Sequence, residues 1–441
     1  MSATKNITFH IEPGGRLRGS IRVPGDKSIS HRSVMLGSLA DGVTRISGFL
    51  EGEDSLATLK AFQQMGVEIE GPDAGRVVIH GVGMHGLRAP AAPLDLGNSG
   101  TSMRLLSGLL AGQGFAVTLT GDRSLSGRPM KRVTEPLAGM GALIETTETG
   151  TAPLRIAPHN LLHGIDYSLP MASAQVKSCV LLAGLYAEGE TCVTEPAPTR
   201  DHTERMLEGF GYAIRRAGPR VCLSGGGSLK ACEIDIPADI SSATFFIVGA
   251  AIAAGSDITL EHVGINPTRD GVINILRLMG AQIELLHPRN VGGEPVADIR
   301  VRAGRLQGVR IPEEQVPLAI DEFPAIFIAA ACAEGRTLLS GAEELRVKES
   351  DRIQVMADGL QRLGIQVRPR PDGIEIEGGS LGGGEIDSHG DHRIAMAFAM
   401  AGLRASGSIR IGDCANVNTS FPGFVALARG AGLAIREGEG S

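Results

Sequence analysis

Basic side chains recur in this chain at places where helices should start. One series of segments, GDKSISHR, GNSGTSMR, MASAQVKS, ADISSAT, IDEFPA and GDHRIAM, opens apolar runs, and GEDS, SGRPMKR, TRDHTE, NPTRDG, VKESDR and NTSFPG open a second series. Helix N-termini expose unsatisfied N–H groups and the positive end of the dipole, so they attract anions. Ser, Thr, Asp and Asn are ordinary caps there, and on this reading Asp54, Asp239 and Ser241 need no further role. Lys27, Arg128, Arg200, Lys348 and Arg393 are different, because a cation at a helix start opposes the dipole. Singly, each reads as a solvated surface charge. Repeated beside the caps, they point to a strongly anionic ligand carrying phosphate and carboxylate groups.

Two acidic positions stand out among these cations. Asp321-Glu322 interrupts a long apolar stretch, where an unpaired carboxylate is costly. Glu349 lies between Lys348 and Arg352 in LRVKESDR, which on a helical reading are one turn apart on the same face. Glu349 is then either a salt-bridge partner or a proton-transfer group among substrate-binding cations. Other motifs lead nowhere. GVGMHG matches GxGxxG but precedes a Pro-rich stretch instead of a helix, and GDKS lacks the GK[ST] pairing of a phosphate loop. His31, His389 and His392 show no metal-ligand spacing, so no metal is expected.

The elements that must position these residues form a repeat. Apolar, Ala/Leu-rich stretches end at Gly42, Gly114, Gly189, Gly255, Gly335 and Gly407, each followed 22 to 29 residues later by a second helix-stop glycine. That second set is Gly66, Gly141, Gly211, Gly280, Gly364 and Gly432, at intervals of 75, 70, 69, 84 and 68 residues. The chain therefore reads as six copies of one helix–strand–helix–strand unit. The first helix of each copy, such as FFIVGAAIAAG, is nearly apolar all round and hence expected to be buried.

Three copies fall in each half. SIRVPGDKS around Pro24 mirrors IDIPADISS around Pro237, and the opening run has no partner strands of its own. The expected organisation is a discontinuous domain of residues 1–25 and 238–441, an inserted domain of 26–237, and a hinge at 24–25 and 237–238, with the polar helix starts facing one crevice.

At 441 residues, 42% hydrophobic and 21% charged, the chain is long enough for two globular domains. Its net charge of −7, absence of Trp and three tyrosines argue against a nucleic-acid surface. No apolar run is long enough to span a bilayer, and the N-terminal run lacks an apolar core of signal-peptide length. A soluble, cytoplasmic protein is expected, with its six cysteines (Cys179, Cys192, Cys222, Cys232, Cys332 and Cys414) as free thiols.

The segments PGDKSISHR, LDLGNSGTSMRL, GDRSLSGRPMKRV, MASAQVKSCVLLAGL, PTRDHTERML, NPTR, IDEFP, ELRVKESDR and GDHRIAMAF together resemble the 5-enolpyruvylshikimate-3-phosphate synthase family, its class II branch in particular. The resemblance implies a two-domain inside-out α/β barrel with three repeats per domain, closing about a hinge. It also implies an enzyme without cofactor that acts on shikimate 3-phosphate and phosphoenolpyruvate and is a glyphosate target; a monomer is expected because the site needs only the two domains of one chain. By motif, Lys27, Ser28, Arg32, Ser173, Ala174, Gln175, Arg200, Asp321 and Lys348 are implied to bind shikimate 3-phosphate. Lys27, Asn98, Gly100, Thr101, Arg128, Gln175, Arg352 and Arg393 are implied to bind phosphoenolpyruvate, and Asp321, Glu349 and Lys27 to move protons.

Two departures concern the phosphoenolpyruvate site. Class I relatives carry a lysine before the C-terminal Phe-Pro, where this chain has Thr419 and Ser420. Gly100 stands where some glyphosate-insensitive relatives have alanine, which implies room for glyphosate here. The nearest rival family acts on UDP-N-acetylglucosamine and often uses a loop cysteine, absent from GDRSLSGRPMK. A non-catalytic anion-binding relative is the rival of another class.

Overall fold

The computed structural model describes residues 7–158 and 161–439. Its contacts divide the chain into two compact units, an inserted one of Gly25–Ile236 with Asn290–Glu294, and a discontinuous one made of the remainder.

The inserted unit contains α1 (Lys27–Leu39), α2 (Glu53–Gln64), α3 (Gly100–Ala111), α4 (Lys131–Gly139), α5 (Ala174–Gly184) and α6 (His202–Gly209). The odd-numbered helices are buried nearly all round and pack on one another; α3 and α5 are largely apolar, whereas α1 also buries Ser30, His31 and Arg32. A Cβ on Gly108 of α3 would sit 2.0 Å from the Cys179 carbonyl oxygen of α5, so glycine is what lets these two backbones touch. The even-numbered helices are amphipathic. α2, for instance, buries Leu59 and Phe62 and exposes Lys60 and Gln63.

Three four-stranded sheets enclose the buried helices, and they share one topology: a parallel pair followed by two antiparallel neighbours. The orders are Leu94–Asp95, Val117–Thr120, Leu154–Ile156, Ile144–Glu145; then Asp166–Ser168, Glu190–Thr194, Arg220–Ser224, Arg215–Ala217. In the third sheet, Glu233–Asp235 from the end of the unit pairs parallel with Val43–Ser47 from its beginning, followed by Arg76–His80 and Glu68–Asp73.

The discontinuous unit repeats the plan with α7 (Ile240–Ile252), α8 (Gly271–Leu278), α9 (Phe323–Ala331), α10 (Arg352–Arg362), α11 (His392–Ala401) and α12 (Phe424–Ala431). Every residue of α7 and α9 is buried. The opening run completes this unit: Ile7–Gly15 lies antiparallel between Ile409–Gly412 and Leu433–Glu439, and Arg18–Ile21 pairs parallel with Asp257–Gly264. Its anchor is Phe9, whose ring lies 6.1 Å from Phe424, itself 6.2 Å from Phe246 and 5.3 Å from Phe421. Two α/β units of three repeats, with helices inside and sheets outside, are the fold class read from the sequence.

All six glycines of the second set adopt φ between 80° and 120°, the left-handed conformation that ends a helix. In the first set Gly114 and Gly407 do not, so those two stops are made without a left-handed residue.

The expectation of free cysteines is corrected. Cys192 and Cys222 are joined in a disulfide, while Cys179, Cys232, Cys332 and Cys414 are free. The two paired cysteines face each other across antiparallel strands at a Cα separation of 4.1 Å, a cross-strand closeness that linear spacing does not reveal. Among the described residues no helix is long and apolar enough to cross a membrane.

Candidate functional site

In the inserted unit the implicated residues gather at the starts of α1, α3 and α5. Asp26 caps α1 by accepting from Ile29 N at 2.9 Å, and the next residue, Lys27, reaches Asp54 with Nζ 3.1 Å from Oδ2. Asp54 lies in the first turn of α2, whose cap is Gly52, so its role is to hold Lys27 and the cap reading is corrected.

Arg32 is buried. Its Nε donates to Thr203 Oγ1 at 2.6 Å, Nη2 to Ser178 Oγ at 2.9 Å and Nη1 to the Ser28 carbonyl at 2.8 Å. Burial pushes its pKa down to about 10, with Glu204 and Asp26 opposing the shift and Arg200 adding to it. The loop carrying Arg200 is pinned from below by Lys177 of α5, which is 1% exposed and pairs with Glu195 at 2.7 Å and Glu204 at 2.8 Å.

Ser173 caps α5, of which Ala174 is the first residue. The Gln175 side chain bridges helices: its Nε2 donates to Thr101 Oγ1 at 3.1 Å and its Oε1 accepts from Arg104. Beside it the turn before α3 is fixed by a relay in which Arg128 Nη2 donates to Asn98 Oδ1 at 2.7 Å and Asn98 Nδ2 to Asp122 Oδ2 at 2.7 Å. A Cβ on Gly100 would lie 2.9 Å from Arg128 Nη1, so only glycine leaves that guanidinium where it is.

In the discontinuous unit the site is built around one guanidinium. Arg352, the first residue of α10, is fully buried and meets three carboxylates: Asp391 (Nε–Oδ2 2.8 Å), Glu349 (Nη2–Oε2 2.6 Å) and Asp321 (Nη1–Oδ1 3.3 Å). Burial alone would lower the Arg352 pKa, but Asp391, Glu349 and Asp321 together raise it above its ordinary value. Conversely, burial would raise Asp391, and Arg352 holds it below the usual carboxylate range. Asp391 also caps α11 by accepting from Arg393 N at 3.0 Å.

Arg393 Nη1 donates to the Asp321 carbonyl at 3.1 Å, and Lys348 Nζ lies 3.7 Å from Asp321 Oδ1 and 2.9 Å from Glu344 Oε1. Buried Glu322 accepts from Ser241 Oγ and lies 3.5 Å from Arg269 and 3.8 Å from Arg393. The helical reading of Lys348 and Arg352 is corrected. Lys348 follows the 3-10 turn Glu343–Val347 and adopts an extended backbone, and α10 starts only at Arg352 behind its cap, Asp351. Thr419 and Ser420 lie in a one-turn helix, where Thr419 Oγ1 donates to the Asn416 carbonyl at 2.7 Å.

The sequence reading missed Asp391, Arg104, Lys177 and the Ser178–Thr203 pair. Asp391 is the buried counter-charge that a fully buried arginine needs, but the burial of Arg352 shows only in the fold. Among the described residues, Glu190, Cys192 and Cys222 form the one donor cluster with metal-like spacing, and its sulfurs are tied up in the disulfide.

Two units of three repeats with cations and carboxylates collected at helix starts define the enolpyruvyl transferase fold. The family model for EPSP synthase (3-phosphoshikimate 1-carboxyvinyltransferase) matches residues 11–427, and the chain belongs to that family. It is 72% identical over 431 residues to a 3-phosphoshikimate 1-carboxyvinyltransferase of Methylococcus capsulatus, covering 98% of this chain and 99% of the relative. A protein of the same name from Alkalilimnicola ehrlichii is 70% identical over 434 residues, covering 98% and 97%. The solved EPSP synthase of Acinetobacter baumannii superposes with a TM-score of 0.91 at 60% identity, covering 98% of this chain and all of that one.

Proposed function

We propose that this chain transfers the enolpyruvyl group of phosphoenolpyruvate to the 5-hydroxyl of shikimate 3-phosphate and releases phosphate, a step toward chorismate and the aromatic amino acids. The observation that carries the reading is the grip of buried Arg352 on Asp321 and Glu349, two carboxylates of different exposure held within one guanidinium's reach.

In the proposed scheme Asp321, whose Oδ1 lies 3.7 Å from Lys348 Nζ and 3.3 Å from Arg352 Nη1, accepts the proton of the 5-hydroxyl as that oxygen attacks C2 of phosphoenolpyruvate. Glu349 delivers a proton to C3, which becomes the methyl group of a tetrahedral intermediate. The carboxylate formed by that transfer faces Arg352, whose Nη2 lies 2.6 Å from Glu349 Oε2. Elimination then returns a methyl proton to a carboxylate and expels phosphate.

Lys27, Arg128, Arg352 and Arg393 are assigned to the phosphoenolpyruvate anion, so that the leaving charge meets cations already in position. Lys27, Ser28, Arg32, Ser173, Ala174, Gln175, Arg200 and Lys348 are assigned to shikimate 3-phosphate. Asn98, Gly100, Thr101 and Gln175 line the phosphoenolpyruvate turn, and Lys27 shares the proton traffic. One chain carries all of these residues, so a cytoplasmic monomer needing no cofactor is the proposed active form.

The test is inorganic phosphate release from phosphoenolpyruvate with shikimate 3-phosphate or, separately, UDP-N-acetylglucosamine as acceptor, beside an Asp321→Ala variant. Release that needs shikimate 3-phosphate and falls at least about 100-fold in the variant, the scale of a lost general base, is expected. Release only with the sugar nucleotide, or with neither acceptor, overturns the assignment.

A further inference from the structure

One imidazole and three hydroxyls form a buried chain that the scheme above leaves unused. His31 Nδ1 lies 2.8 Å from Thr58 Oγ1 and 3.3 Å from Ser102 Oγ. Thr58 Oγ1 and Ser102 Oγ are 2.6 Å apart, and Ser102 Oγ is 2.7 Å from Ser99 Oγ. Ser99 caps α3, accepting from Ser102 N at 3.1 Å. All four residues are buried.

Each member sits beside a residue assigned to phosphoenolpyruvate or to its support. Lys27 lies one turn before His31 on α1, Asp54 one turn before Thr58 on α2, and Asn98 and Gly100 flank Ser99. The chain therefore ties three separate elements together directly beneath the Lys27–Asp54 pair and the Asn98–Thr101 turn.

Its polarity follows from one unpaired atom. Among the described residues His31 Nε2 is buried without a hydrogen-bond partner. A proton on Nε2 would leave a buried N–H unsatisfied, whereas a proton on Nδ1 leaves only a lone pair, the smaller loss. Nδ1–H then donates to Thr58 Oγ1, Thr58 to Ser102 Oγ, and Ser102 to Ser99 Oγ. Burial keeps the ring neutral by pushing its pKa down to about 3, opposed by Asp54 and assisted by Lys27 and Arg32.

We infer that His31 is a positioning residue for enolpyruvyl transfer: its Nδ1–H orients the Thr58–Ser102–Ser99 chain and so fixes the Asn98–Gly100 turn relative to Lys27. The inference rests on the enolpyruvyl-transfer reading. A hydrophobic isostere at position 31 keeps the packing but loses the donor, while asparagine places an amide N–H near the position of Nδ1.

The experiment compares wild type, His31→Leu, His31→Asn and Ser102→Ala by steady-state kinetics in each substrate, with thermal midpoints alongside. His31→Leu and Ser102→Ala are expected to raise the KM for phosphoenolpyruvate about tenfold, or about 1.4 kcal/mol, the scale of one lost hydrogen bond. The KM for shikimate 3-phosphate should stay within about twofold, and His31→Asn should recover most of the loss. An unchanged phosphoenolpyruvate KM in Ser102→Ala, equal rises for both substrates, or His31→Asn as impaired as His31→Leu overturns the role. Ser102→Ala removes a single oxygen, so the test stands even where His31→Leu fails to fold. A wild type that releases no phosphate from the two substrates overturns the enolpyruvyl reading and this inference together. An active wild type with silent variants overturns the inference alone.

Discussion

Replacing Arg352 with methionine separates the stability of the discontinuous unit from its chemistry. The substitution keeps most of the apolar stem and removes the charge that three carboxylates share. Their exposure decides where the cost falls: the side chains of Asp391, Asp321 and Glu349 are 0%, 16% and 33% exposed. Asp321 and Glu349 regain water once the guanidinium is gone, whereas Asp391 stays buried with Ser350 Oγ and Arg393 N as donors. Leaving one buried partner uncompensated costs about 3–5 kcal/mol. At about 2–4 °C per kcal/mol for a domain of this size, the thermal midpoint should fall by roughly 6–20 °C.

Asp391→Asn removes the orphaned charge yet can still cap α11. The double variant Arg352→Met/Asp391→Asn should therefore be more stable than Arg352→Met alone, by about 1 kcal/mol or more. Calorimetry and urea unfolding of the ligand-free protein at neutral pH measure all members of this cycle. A loss below about 1 kcal/mol in Arg352→Met, or purely additive losses in the double variant, refutes the picture of Asp391 as the buried charge that Arg352 neutralises.

The depressed pKa of Asp391 fixes the sign of its pH dependence. Its contribution is fully present above the unfolded carboxyl value of about 3.9 and is lost as pH falls through the lower folded value. Thermal midpoints taken from pH 6 downward should thus fall more steeply below about pH 4 in wild type than in Asp391→Asn. Gly100→Ala puts a methyl 2.9 Å from Arg128 Nη1 and 3.4 Å from Arg104 Nη1, so the guanidinium must move. The expected result is a phosphoenolpyruvate KM about tenfold higher with the shikimate 3-phosphate KM unchanged, read from initial rates. Reducing Cys192–Cys222, which closes a loop of 30 residues, should cost up to about 3–4 kcal/mol. A thermal midpoint that drops with reductant in wild type, but not in a Cys192→Ser/Cys222→Ser variant, is the check.

Much of the fold is written in local signals. The second set of glycines ends helices because left-handed backbone there favours glycine, and all six adopt it. The buried first helices follow from sequences such as FFIVGAAIAAG, which have no polar face to turn outward. Of the five cations read at helix starts, Lys27 and Arg393 stand in the first turns of α1 and α11, while Lys348 does not.

What stayed hidden depends on contacts between distant segments. Asp391 caps α11, but its pairing with Arg352 39 positions away comes from two helix starts meeting. Asp54 holds Lys27 across 27 positions, and Cys222 meets Cys192 through strand register. Asn290–Glu294 joins the inserted unit, where Glu294 bonds His202 at 2.8 Å and the Gly293 carbonyl accepts from Arg205 at 2.9 Å. Nothing in the local sequence of that loop announces it. Lys348 was misplaced because VKESDR has no helix breaker, and only the Asp351 side chain, accepting from Gln354 N at 3.0 Å, marks the true start.

In the proposed scheme Glu349 and Asp321 run an addition and elimination through a methyl-bearing intermediate. Mass spectrometry of the enolpyruvyl product made in heavy water distinguishes this course from a direct displacement. Deuterium is expected in the vinyl methylene of the wild-type product, because C3 gains a solvent-derived proton and then loses one of three. Glu349→Gln should slow both product formation and this incorporation together. A wild-type product formed at full rate without deuterium at that carbon would mean that C3 is never protonated, and would overturn the scheme.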